Sequence, residues 1–295
     1  MSCAGAFSSL TNKVFPVRWD AQPAVLRLPG PGTDSWIDRD CELANQAAAH
    51  RAELAPEVLA GWPDGVLVTA RVPGRAFPSG CDLGVRELRL AARLLAGVHE
   101  SRMALAGKCD PVARLDRYLG VLDAAVPPKW PGRATMAELR RLVEPLHLVT
   151  SAAIIGQGVE AVPCHGDPWP GNIVGWDPDL PLTKLLLIDW EFSGMGDPAW
   201  DLANFIVESS LNCGQREAFL DAYGSQRADP RCDATRIEAQ LAACDALWAA
   251  WALLQLAFEN CADDFLAYAL RRAAAARARL ATDSYRDRRD ATRFD

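Results

Sequence analysis

Read for the spacing of its apolar residues, the chain is extended and turn-rich at first and helical later. Lys13 to Arg18 and Ala24 to Leu28 are short strand-like runs joined by the turn Asp20-Ala21-Gln22-Pro23. The breaker cluster Pro29-Gly30-Pro31-Gly32-Thr33 ends that pattern, and a helix opens at Asp34 or Ser35 and runs to about Arg51. Val66 to Val72 is a further strand, stopped by Pro73-Gly74. From Leu83 to Ser101 the residues Leu88, Ala92, Leu95 and Ala96 recur at helical spacing, and Met136 to Ile155 repeats the pattern. Leu185 to Ile188 reads as an apolar strand with Asp189 at its end. Helices are then expected from Gln215 to Tyr223, from Thr235 to about Leu256 and from about Asp263 to Leu280, with the chain frayed after Thr282. The order implies an α+β fold, with a small β-rich N-terminal part and a larger, mainly helical C-terminal part.

Composition narrows the function. Half of the 295 residues are apolar, enough for one large domain or two lobes with their own cores. The net charge of −7, with no basic cluster before the C-terminal tail, argues against a nucleic-acid partner and would suit a cationic substrate. The nine cysteines are scattered, odd in number and without Cys-x-x-Cys pairs, and no signal segment opens the chain, so unpaired thiols and a cytoplasmic location are expected. No apolar run approaches the ~20 residues of a membrane span. Zinc-ligand spacing and a Ser-His-Asp arrangement are both missing from the sequence pattern, and His99 and His147 read as bonded helix histidines rather than catalysts.

The chemistry is concentrated in Cys164-His165-Gly166-Asp167-Pro168-Trp169-Pro170-Gly171-Asn172 and in Leu185-Leu186-Leu187-Ile188-Asp189-Trp190-Glu191. An Asp able to accept a hydroxyl proton, an Asn five positions on and a second Asp ending an apolar strand are the parts of a site that moves a phosphoryl group on Mg²⁺. An isolated Asp-x-x-x-x-Asn could be a turn whose side chains bond their own backbone. The Asp-x-Glu behind it, in the right order, makes the catalytic reading the stronger one.

In these motifs the chain resembles the aminoglycoside phosphotransferase and choline kinase superfamily, whose signature is His-Gly-Asp-x-x-x-x-Asn followed by Asp-x-Glu. The resemblance runs from Ser8 to about Leu280 and implies a two-lobed, protein-kinase-like fold, with a nucleotide-binding lobe at residues 1–72, a hinge, and a catalytic and substrate lobe at 73–295. It implies ATP and Mg²⁺ as cofactors and assigns residues to them. Asp167 would orient the acceptor hydroxyl and take its proton. Asn172, Asp189 and Glu191 would hold metal, while His165 pins the loop and Asp201 caps its helix or braces the loop. The loop carrying Ser8, Ser9, Thr11 and Asn12 would cover the phosphates, although the family usually has a strand ahead of this loop and only Met1 to Phe7 precede it here. Arg27 would grip the phosphates and pair with Glu42, and the backbone of Ala70 to Val72 would meet adenine.

The same resemblance bears on the acceptor. Trp248, Trp251 and Gln255 recur at i, i+3 and i+7, so the two indoles share a helix face. From periodicity alone they read as core tryptophans. The choline kinase branch closes such indoles around a trimethylammonium group, which ring faces can hold although it donates no hydrogen bonds. Glu208 is the candidate acidic partner, though Ser209, Ser210 and Leu211 stand where animal enzymes carry aromatic residues. The expected partner is a small cationic alcohol, choline first, with thiamine or ethanolamine next and an aminoglycoside after them. A nucleotide-binding pseudokinase is the reading from a different class.

Overall fold

The computed structural model describes residues 10–75, 77–155, 160–180, 184–226 and 234–282. Its chain forms two compact units, one of residues 1–109 and 161–231 and one of residues 110–160 and 232–295.

In the first unit β1 (Lys13–Trp19), β2 (Gln22–Leu28), β3 (Val58–Gly61) and β4 (Leu67–Ala70) make an antiparallel sheet in the order β1-β2-β4-β3. The β1–β2 connection is a two-residue turn in which Asp20 and Ala21 both have positive φ, the form that matches strand twist in hairpins. Val25 pairs with Thr69 and Arg27 with Leu67, so strand alternation sets these four side chains on one face. Helix α1 (Arg39–Arg51) supplies Glu42 to that face. The helix expected from Asp34 or Ser35 begins only at Arg39. Thr33–Ser35 is a separate 3-10 turn entered from Gly32 at φ 74°, and the Asp38 carboxylate then accepts the Cys41 N–H at 3.0 Å and caps α1.

The rest of this unit packs around α2 (Val85–Glu100). β5 (Lys108–Cys109) and β6 (Val162–Cys164) flank β9 (Gly194–Gly196), and β7 (Ile173–Val174) pairs with β8 (Leu186–Leu187). α5 (Pro198–Glu208) and α6 (Cys213–Gly224) add Trp200, Phe205, Phe219 and Tyr223 to the core, with Phe205 and Phe219 stacked at 4.7 Å. Full burial of each such side chain stabilises the unit by about 1.5–3 kcal/mol.

The second unit is helical among its described residues. α7 (Ala234–Ala257) packs against α3 (Pro111–Ala125), α4 (Arg133–Ile155) and α8 (Phe265–Leu280). Its stretch Arg236–Ala257 is long and apolar enough to cross a membrane, which the sequence reading did not anticipate, but the apolar window is 94 % buried inside the protein. A helix apolar on all sides is what the centre of a helical core requires. Buried Asp245 on α7 is neutralised by Arg272 and Arg279 of α8, at 2.9 and 2.8 Å. β3 and α3 were absent from the sequence reading. For α3 the signal was there: Asp110 accepts the Val112 and Ala113 N–H groups and Pro111 occupies the first helical position.

Candidate active site

β6 delivers the chain into the loop that carries Asp167. Gly166 has φ 85°, and a Cβ there would lie 2.2 Å from the Phe192 carbonyl oxygen, so only glycine lets the loop turn this close to the next segment. The loop ends in the 3-10 turn Pro170–Asn172. Asn172 Nδ2 donates to the backbone carbonyl of Asp167 at 2.9 Å and to its Oδ2 at 3.2 Å, bringing two of the expected residues together. The Asn172 carbonyl accepts the Ile188 N–H at 2.9 Å, which ties the loop to the strand before Asp189.

His165 holds the two segments from below. It is fully buried, its Nδ1 accepts the Asp167 N–H at 3.3 Å and its Nε2 lies 3.0 Å from the Ile188 carbonyl. Burial pulls its pKa below the ordinary imidazole value, outweighing the nearby Asp201 charge. The ring is therefore neutral at pH 7, with Nδ1 the acceptor and Nε2 the donor. A neutral ring bonded at both nitrogens is a fixture of the loop.

The strand before Asp189 is only Leu186–Leu187, and Asp189 itself is in the left-handed region at φ 66°. That conformation is uncommon for a residue other than glycine, although Asp tolerates it, and it occurs here at a residue with a proposed metal role. Asp189 meets Arg27, whose Nη1 donates to Oδ1 at 2.6 Å. Arg27 also pairs with Glu42 and lies 3.7 Å from Glu191. Arg39 completes the cluster, with Nη1 2.9 Å from Glu42 and 3.3 Å from Glu191, and Nη2 2.6 Å from the Thr33 hydroxyl. Carboxylate oxygens of Glu42, Asp189 and Glu191 all lie within 4.8 Å of one another.

The electrostatics follow from three carboxylates and two guanidinium groups in a largely dry site. Burial works against the charge on Arg27, but the fields of Asp189, Glu42 and Glu191 outweigh it and raise its pKa above the ordinary value. Burial, then Asp189 and Glu42, push the Glu191 carboxyl well above its ordinary range, against the pull of both arginines. A divalent cation or a phosphate chain arriving here would change which of these charges are paired.

A model of the phosphotransferase enzyme family matches residues 5–236. A choline/ethanolamine kinase family protein from Mesorhizobium loti is 30 % identical, covers 100 % of this chain and 93 % of its own, and superposes with a TM-score of 0.74. The chain belongs to the phosphotransferase enzyme family, in its choline/ethanolamine kinase branch. It is an alcohol phosphotransferase with a kinase-like fold, β-rich at the N-terminus and mainly helical beyond. The choline kinase LicA from Streptococcus pneumoniae has the same fold at 22 % identity, with 95 % of this chain and 94 % of that one covered and a TM-score of 0.72. Protein LicA of Haemophilus influenzae is 25 % identical over 275 residues, covering 90 % of this chain and 97 % of its own.

The remaining expected residues of the enzyme divide. Ser8 and Ser9 lie outside the described residues. Buried Asn12 accepts the Gly30 N–H at 3.4 Å, and Thr11 packs against the same glycine, so both brace the end of the first hairpin. Ala70 and Val72 line a cavity of about 370 Å³ together with His50, Pro56, Lys184 and Leu186. Glu208 is the half-buried last residue of α5. Trp248 and Trp251, in the second unit, are nearly buried and meet edge to face at 5.9 Å, and Trp251 also contacts Phe265 at 5.6 Å and Tyr268 at 6.2 Å. Tyr268 already accepts a cation, since Arg272 lies 5.1 Å from its ring centre.

Sequence reasoning left two features of the site without a role. Arg39 has no part in the sequence motifs, although its i,i+3 spacing to Glu42 is an ion-pair signal. Trp169 stands exposed between Asp167 and Asn172 with its indole over Gly171, where an added Cβ would lie 2.2 Å from the ring.

Proposed function

We propose that this enzyme transfers the γ-phosphate of ATP to the hydroxyl of a small cationic alcohol, choline in the first place. The observation that carries the reading is the hydrogen-bonded pair of Asp167 and Asn172, tied through Ile188 to Asp189 and hence to Arg27. Asp167 orients the acceptor hydroxyl and takes its proton as the oxygen bonds to phosphorus. Arg27, held by Glu42, grips phosphate oxygens with a planar fork. Adenine meets the backbone at Ala70 to Val72, the hinge between residues 1–72 and 73–295.

The donors available to a metal are hard oxygens: the Asp189 and Glu191 carboxylates and the Asn172 carboxamide oxygen, whose Nδ2 is engaged by Asp167. That set fits Mg²⁺ better than a thiophilic metal. When bound, Mg²⁺ would neutralise charge on the nucleotide phosphates. Cys41, Cys109, Cys164, Cys213 and Cys261 carry thiols rather than disulfides, which supports a reducing, cytoplasmic setting.

Choline is favoured over ethanolamine by the four-ring cluster of Trp248, Trp251, Phe265 and Tyr268. Ring faces suit a quaternary ammonium, whereas a primary one gains more from carboxylates. The test is ADP release from Mg·ATP with choline, ethanolamine, thiamine and one aminoglycoside, repeated with Trp248→Ala and Trp251→Ala. Turnover of choline, with both variants losing mainly kcat/KM for it, supports the assignment. Preference for another alcohol removes choline, and ADP release with none of them leaves the pseudokinase reading.

A further inference from the structure

Between Asp167 and Asn172 the loop presents a tryptophan to which the proposed transfer gives no part. Trp169 is 37 % exposed, whereas Trp190 and Trp200 of the same unit are 0 % exposed. An indole left in water forgoes the stabilisation that burial of so large a ring would give.

The placement of this ring is fixed by its neighbours. Pro168 and Pro170 flank it. A proline locks its own φ and confines the residue before it to extended backbone, which is where Trp169 stands at φ −70° and ψ 159°. The Trp169 carbonyl accepts the Asn172 N–H at 2.9 Å and closes the turn. Gly171 lies beneath the ring: a Cβ there would sit 2.2, 2.4 and 2.6 Å from Cζ2, Cη2 and Cε2. Near-equal distances to three consecutive ring atoms put the glycine under the face of the indole and not at its edge. One face therefore rests on the loop, and the opposite face carries the exposure. Single exposed apolar residues are common on protein surfaces and need no role. This one differs in being held rigidly, by two prolines and a glycine, within five residues that also hold Asp167 and Asn172.

We infer that Trp169 determines specificity for the acceptor: the open face of its indole holds the acceptor's positive head while the acceptor hydroxyl lies at Asp167. The inference deepens the proposed function and rests on it. Two residues of chain span at most about 7 Å, and an indole attracts a cation within about 6 Å of its centre. An alcohol whose charge is two carbons from its hydroxyl, such as choline or ethanolamine, suits that separation. Indole is the best of the aromatic faces for a cation, and a ring already fixed by its backbone loses little freedom on binding. Trp248 and Trp251 belong to the second unit, whereas Trp169 stands on the loop that carries Asp167.

The experiment compares wild type, Trp169→Leu and Trp169→Phe on choline and on dimethylbutanol, the neutral alcohol in which carbon replaces the choline nitrogen. If ethanolamine is the better substrate, ethanolamine and propanol form the pair. Phosphorylated product gives kcat/KM for each alcohol; where the neutral one is not turned over, its inhibition constant against the cationic one is used. Trp169→Leu keeps an apolar side chain without a ring. It should lower kcat/KM for choline about 5–30-fold, mainly through KM, and leave the value for dimethylbutanol within about twofold. Trp169→Phe keeps a ring face and should stay within about threefold of wild type on choline. Both variants should keep the wild-type Tm, because the ring they lose is exposed. Equal losses for the two alcohols in Trp169→Leu would make the ring an apolar wall and overturn the inference, as would wild-type kcat/KM for choline in that variant. A wild-type enzyme that phosphorylates neither choline nor ethanolamine removes the small-alcohol reading, and this inference falls with it. Turnover of either by wild type, with unchanged discrimination in Trp169→Leu, removes the inference alone.

Discussion

Replacing Arg27 by Met tests the charge cluster most directly. The change keeps the aliphatic length and removes the guanidinium that bonds Asp189 at 2.6 Å, pairs with Glu42 and lies 3.7 Å from Glu191. Removing one partner of a buried ion pair costs about 3–5 kcal/mol, because the other charge stays behind in the dry site. Two features of this site reduce that figure. The Asp189 side chain is 28 % exposed and can regain water, and Arg39 still faces Glu42 and Glu191. A net loss of about 2–4 kcal/mol at neutral pH is expected. The loss should also shrink on acidification. The Glu191 carboxyl is already raised by burial, Asp189 and Glu42, and Arg27 is one of the two groups pulling it down. Without Arg27 it takes up a proton more readily in the folded state than in the unfolded chain, so folding is favoured as pH falls toward the ordinary carboxylate range. Urea unfolding of both proteins at pH 8 and pH 6 measures this, and KM for ATP should rise in parallel at least about tenfold if Arg27 also grips phosphate. A stability difference under about 0.5 kcal/mol, or one identical at the two pH values, would refute the argument that the cluster is bound by this guanidinium.

Asp167→Asn keeps the backbone carbonyl and a side-chain oxygen for Asn172 Nδ2, so ATP binding and thermal stability should stay near wild type while kcat falls about 10²–10⁴-fold; unchanged turnover rules out Asp167 as the base. Gly166→Ala puts a Cβ 2.2 Å from the Phe192 carbonyl at a residue with φ 85°, and should cost at least about 2 kcal/mol, read as a lowered Tm, together with most of kcat. The pKa of His165 is depressed in the folded state, so the unfolded chain binds a proton that the folded one refuses as pH drops below the ordinary value of 6.5. Stability should therefore fall on acidification by up to about 1.4 kcal/mol per pH unit until the folded pKa is reached, and His165→Gln should lose that slope. Asp201, also depressed because the His99 bond and charge, His165 and the Gly166 amide outweigh its burial, adds its own loss only below the ordinary carboxylate range.

Part of this enzyme is legible in the order of its residues. Asp167, Asn172, Asp189 and Glu191 announce phosphoryl transfer because their spacing is local, and a strand or turn only a few residues long carries it. The strand and helix periodicities are local too, which is why β1, β2, α2 and α6 are visible in the sequence. Tertiary structure decided what lies far apart along the chain. Arg27 and Asp189 meet across 162 residues, and Arg39 and Glu191 across 152. Asp201 reaches back 36 residues to the loop, and His99 spans 102 residues to Asp201 and 124 to Tyr223. No periodicity records such pairs, because their cost of burial is met only when helices and strands from distant segments close around them. The sequence thus names the groups proposed to do the chemistry. Folding decides which charges are paired and which hydrogen bonds hold the Asp167 loop in place.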